Sequence, residues 1–143
     1  MMACAKCGYD ASAIVLGSWS STIARDPPSL NARLVNVGLQ RHAYRAERDL
    51  WAWEFRAMRL ALKIPHASAR RRVTLTRCYS GRQRERDRDN LIGGMKSVVD
   101  AMVCERLLMD DCPKWAELHY DQVRVGGAMV ARGLTVSIEE IHA

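Results

Sequence analysis

The chain of 143 residues has the length of a single domain. Hydrophobic residues at 48% and charged residues at 27% exclude wholesale disorder, and no apolar run reaches the roughly 18 residues of a membrane-spanning helix. The net charge of +6 comes from 18 arginines and 4 lysines against 16 acidic residues. Arginine's planar fork suits phosphate, which makes nucleic acid the leading partner class.

Residues 1–26 read as an N-terminal extension carrying a Cys4-Ala-Lys-Cys7 pair, with a loose strand over 13–23 closed by Asp26-Pro27-Pro28. The segment lacks the basic and apolar regions of an export signal, so a cytoplasmic protein of a bacterial or phage-infected cell is expected. Five cysteines without an export signal imply free thiols rather than a disulfide framework.

The spacing of Tyr44, Trp51, Phe55, Met58 and Leu62 predicts an amphipathic helix over 41–63, ended by Pro65. Its aromatics read as core rather than as base-stacking platforms. Val73 and Leu75 alternating with Thr74 and Thr76 predict a strand over 72–79. The following GRQRERDRDN has no apolar residue and is expected to be an exposed loop. Met95, Val98, Val99 and Met102 predict a second helix from Gly94 or Met95 to about Glu105, with Gly93-Gly94 read as loop. Two strands are expected at 115–125 and 134–138, joined as a hairpin through the intervening glycines. The whole is predicted to be an α+β domain over 27–143, one compact unit with a mixed sheet packed by two main helices.

Chemistry concentrates between residues 70 and 111. Asp87 and Asp89 stand two residues apart, after Arg70, Arg71, Arg72, Arg77, Arg82, Arg84, Arg86 and Arg88. Carboxylates aimed at one point repel unless a hard cation such as Mg²⁺ joins them. Acidic residues within a basic stretch make sense when phosphates meet the arginines and a metal sits between carboxylate and phosphate. The competing reading of the same residues is a solvated loop of mixed charge.

The segment Asp87-Arg88-Asp89-Asn90, then Lys96, Asp100-Ala101-Met102 and Asp110-Asp111, resembles the RusA-type Holliday-junction resolvase family, whose pattern is DxDNxxK, a DAL-like element and a DD pair. The interval before the lysine resembles that of the phage-type branch. This chain departs from the pattern by Gly93-Gly94-Met95, which reads as a three-residue insertion before the lysine. The resemblance implies a Mg²⁺-dependent endodeoxyribonuclease, with Mn²⁺ able to substitute. Such an enzyme acts as a homodimer on four-way or other branched DNA in recombination and repair. It implies Asp87, Asp89 and Asp111 as metal ligands, with Asp110 the weaker candidate, and Lys96 at the scissile phosphate. Asn90 either orients a ligand or caps a helix, and Asp100, four residues after Lys96, is placed to pair with it. The arginines from Arg70 to Arg88 are the expected DNA-contacting set. A non-catalytic DNA-binding protein of the same fold is the rival reading, favoured by the displaced lysine. The Cys4/Cys7 pair supplies two of the four ligands a structural zinc needs, so unliganded thiols are the preferred reading there. The four histidines show no ligand spacing and receive no role.

Overall fold

The computed structural model describes residues 14–30, 40–126 and 132–142. Cys4 and Cys7 lie outside them. The architecture is α+β. Four strands, β1 (Ile14–Ile23), β2 (Arg71–Tyr79), β3 (Ala116–Arg124) and β4 (Gly133–His142), form one mixed sheet in the order β1-β4-β2-β3. Helix α1 (Gln40–Leu62) and the pair α2 (Arg88–Gly94) and α3 (Lys96–Cys104) complete the domain. Among the described residues, no helix is long and apolar enough to cross a membrane.

The sheet corrects two expectations. β4 is antiparallel to β1 and β2, while β3 runs parallel to β2, so β3 and β4 form no hairpin. Parallel neighbours need a long crossover, and here residues 80–115 supply it. Every residue of the motif from Asp87 to Asp111 therefore lies in one connection. In addition, residues 14–23, read as part of an extension, are an integral strand. Ile23 pairs with Leu134 and Trp19 with Ile138.

The core lies between one sheet face and the helices. Val73, Leu75, Leu134, Val136 and Ile138 meet Trp51, Phe55, Met58, Val98 and Met102, all buried. The α1 face is as predicted for its centre, though Leu62 is exposed. The opposite sheet face is polar. Thr22 and Thr135 hydroxyls lie 3.0 Å apart, and Thr135 also meets the Cys78 thiol.

The second helix differs from expectation. Residues 88–94 are already helical, and the break falls at Met95, with Lys96 opening α3. The structure explains why Gly94 sits inside a helix. A Cβ there would lie 1.8 Å from the Pro28 carbonyl oxygen, so the 25–30 segment crosses α2 at a distance only glycine permits.

Three of the expected DNA-contacting arginines prove to be framework. Arg71 is fully buried. Its guanidinium donates to Pro65 O at 2.8 Å, Leu107 O at 3.0 Å and Glu140 at 3.0 Å, and lies over the Trp19 ring. Arg72 is buried between Glu117 and Glu139, each at 3.1 Å. Arg77 is buried on Asp26 at 2.9 Å. A side chain held this way presents no donor to a phosphate.

Candidate functional site

After β2 the chain turns at Ser80 and enters a loop whose main chain is held by side chains. Arg77 donates to Arg84 O at 3.0 Å, and Arg124 to Gly81 O and Gln83 O at 3.3 and 3.2 Å. Gln122 on β3 pairs with Arg86 as a second peptide would. Its Oε1 accepts from Arg86 N at 3.0 Å while its Nε2 donates to Arg86 O. The Arg86 guanidinium reaches Pro27 O at 2.6 Å and Asp26 at 3.2 Å. Burial lowers the Arg86 pKa and Arg77 adds to that, while Asp26 opposes it. A polar run that reads as loose loop is thus a fixed arm, and its last residue is Asp87.

Asp87 is extended (φ −62°, ψ 159°) and caps α2. Its carboxylate accepts from Asn90 N at 3.2 Å and from the Asn90 side-chain amide. These bonds, the side-chain one first, hold its pKa below the ordinary aspartate value. Of the two roles open to Asn90, capping falls to Asp87, and the Asn90 amide orients the Asp87 carboxylate.

Asp87 lines an open cavity of about 480 Å³ with Arg86, Arg88 and Leu91 on the crossover side and Tyr120, Asp121 and Gln122 on β3. Among the described residues β3 is an edge strand, so the cavity lies at a sheet edge, beside the carboxyl end of β2. Burial raises the Tyr120 pKa and the charge of Asp111 raises it further, so its hydroxyl stays protonated at neutral pH. Asp110 accepts from Asp111 N at 2.8 Å, and this bond leads the causes that lower its pKa.

The other motif residues are placed less centrally. Asp89 is exposed in the first turn of α2. Lys96 is exposed at the start of α3 and pairs with Asp100 at 3.4 Å, as its spacing predicts, and the Tyr44 hydroxyl donates to the same carboxylate. Neither Asp89, Lys96 nor Asp111 lines the cavity. Arg70 donates to Pro113 O at 3.1 Å, whereas Arg82, Arg84 and Arg88 are exposed.

Sequence reasoning missed Asp121, Gln122, Tyr120 and Asp26. No motif marks them. The signal available is that β3 follows the motif directly and must pair beside β2.

Among the described residues, no group of three or more His, Cys, Asp or Glu side chains is gathered to hold a metal. That donor set does not suit an all-protein cage. It does suit Mg²⁺, which is commonly held by one or two carboxylates with water and substrate phosphate as the remaining ligands. Asp87 and Asp121, both exposed and both lining the cavity, are the carboxylates that would serve there.

No protein-family model matches the chain, and no curated protein matches it.

Proposed function

We propose that this protein is a Mg²⁺-dependent endonuclease for branched DNA, with the cavity beside Asp87 as its active site. The observation that carries the reading is a carboxylate whose pKa Asn90 lowers, fixed on a braced arm, with the exposed Arg88 beside it. The resemblance of residues 87–111 to the RusA-type family supports the same chemistry. Bound there, Mg²⁺ supplies Lewis-acid polarisation of a phosphate oxygen and a water of lowered pKa.

The chain's own residues do the rest. Asp87 and Asp121 offer hard oxygen ligands from opposite sides of the cavity. Gln122 holds the Arg86 peptide and so sets where Asp87 stands. Arg88, beside Asp87, with Arg82 and Arg84 on the same arm, bind the backbone phosphates flanking the reacting one. Tyr120, kept protonated, donates a hydrogen bond to a phosphate oxygen. Lys96, aimed by Asp100, contacts the DNA backbone beyond the cavity.

A second reading is a DNA-binding protein without catalysis. It is favoured by the pairing of Lys96 with Asp100 and by the absence of a three-donor cluster among the described residues. A gel assay separates the two, using labelled four-way junction, flap and linear duplex with and without Mg²⁺. Mg²⁺-dependent nicks at the junction that vanish in Asp87→Asn, with junction binding retained, support the nuclease. Binding without nicking under Mg²⁺ or Mn²⁺ establishes the second reading.

A further inference from the structure

The carboxylate of Asp26 stands where two guanidiniums meet. One oxygen accepts from Arg77 Nε at 2.9 Å, and the other accepts from Arg86 Nη2 at 3.2 Å and from the Gln83 amide at 3.3 Å. Three donors from residues 77–86 thus converge on one side chain from a distant part of the chain. The two arginines are held differently. Arg77 lies in β2, and its guanidinium also donates to Arg84 O at 3.0 Å. Arg86 lies in the loop, and its guanidinium is taken by Asp26 together with the adjoining Pro27 O at 2.6 Å.

The piece of chain that presents Asp26 is fixed on both sides. Before it, Ile23 ends β1 in register with Leu134, and Arg25 pairs with Glu54 of α1 at 3.9 Å. After it, Pro27 is buried and Pro28 crosses α2 at Gly94. Two consecutive prolines also restrict the backbone there. Asp26 is therefore a firm anchor, and what it anchors is the mobile partner of the arginine pair. Arg77 and Arg86 are 3% and 16% exposed. Without the carboxylate, two like charges share a largely buried place with no counter-charge. Arg77 is bound into the sheet, so Arg86 is the one to move. The next residue is Asp87.

We infer that Asp26 is a positioning residue. Through Arg86 it fixes where the arm ends, and so where the Asp87 carboxylate stands in the cavity. Gln122 holds the Arg86 peptide from the β3 side, and Asp26 holds its guanidinium from the other. The fixing of the arm is independent of what the cavity binds. Its consequence for a divalent cation rests on the reading proposed above.

The test is amide hydrogen exchange by NMR on the full-length chain, in the wild type, Asp26→Ala and Asp26→Asn. Two amides report the arm: Arg86 N, bonded to Gln122 Oε1, and Leu91 N, bonded to Asp87 O. The amides of β2 report the whole fold. Asp26→Ala is expected to quicken exchange at Arg86 and Leu91 at least about ten-fold while β2 keeps its rates. Asp26→Asn keeps an acceptor and loses the charge. It should move the same amides by less, and it carries the measurement where the alanine variant does not fold. Sodium formate supplies a carboxylate small enough for the vacated place. It should restore protection in Asp26→Ala, and sodium chloride at equal ionic strength should not. A second arm titrates Mn²⁺ alone by electron paramagnetic resonance. Asp26→Ala should raise its dissociation constant about ten-fold, as loss of a group that orients a ligand does. Arm amides that exchange as in the wild type in the folded variants overturn the inference. So does exchange quickened equally in the arm and in β2, or protection that formate does not restore. A wild type whose Mn²⁺ binding is indistinguishable from that of Asp87→Asn sinks the metal reading instead, and the exchange rates still decide the role of Asp26.

Discussion

At the scale of single residues, the decisive pair is Asp87 with Asn90. Three residues apart, they are joined by two hydrogen bonds across the first turn of α2. Both bonds favour the charged carboxylate, and the side-chain bond leads. A carboxylate whose folded pKa lies below its unfolded value contributes stability at neutral pH, and that contribution is lost as pH falls through the lowered pKa. Asp87 is exposed, so the effect on folding is small and the effect on ligand binding is the one to read. Asn90→Ala is expected to move the Asp87 titration upward toward the ordinary aspartate range while leaving the fold intact. Carboxyl-carbon NMR measures this directly. The acid limb of any Mg²⁺-dependent activity should move up with it. An unchanged Asp87 titration in the variant would mean that Asn90 does not hold the charge.

At the scale of elements, local pattern decided what formed and pairing decided where it went. The apolar spacing around Trp51 and Phe55 made α1 legible to within a residue at each end. The alternation around Val73 did the same for β2. The order of strands was not legible, because no local pattern says that β2 enters between β3 and β4. The helix over 88–94 was hidden because Arg-Asp-Asn-Leu-Ile-Gly-Gly has no apolar period and two helix-weakening glycines. What holds it is one local contact, the Asp87 cap, and one tertiary contact, the close passage of Pro28. Gly94→Ala is therefore expected to destabilise the protein by about 3 kcal/mol through overpacking against backbone. Gly93→Ala should be milder, because the added methyl meets only the Leu30 side chain. Urea denaturation of both variants gives the ranking. Equal midpoints would show that residues 25–30 do not need that close approach.

The candidate site was half legible for the same reason. Asp87, Lys96, Asp100 and the Asp110-Asp111 pair are close in sequence, so one crossover carries them all. Asp121 and Gln122 reach the cavity only through the parallel pairing of β3 with β2. Arg71 and Arg77 were misassigned to the surface although a signal was present. They alternate in phase with Val73 and Leu75, which places them on the buried face.

At the scale of the whole molecule, the arginines between Arg70 and Arg88 include two contrasting groups. Arg71, Arg72 and Arg77 are internal. Arg71 alone joins the chain after α1, the chain after α3 and strand β4 through Pro65, Leu107 and Glu140. Removing one member of a buried ion pair leaves an uncompensated charge, at about 3–5 kcal/mol. Arg82, Arg84 and Arg88 are exposed and, under the proposed function, are the population that would meet a polyanion. If the protein binds junction DNA as proposed, the two populations separate in two measurements on the same variants. Arg71→Met should lower the stability to urea by about 3 kcal/mol. Where the variant remains folded, its junction affinity should fall with salt as steeply as the wild type's. Arg88→Ala should leave stability unchanged and reduce the slope of log affinity against log salt by about 1, because one fewer phosphate is neutralised. A shallower slope in folded Arg71→Met, or an unaltered one in Arg88→Ala, would show that DNA meets a different face of the domain.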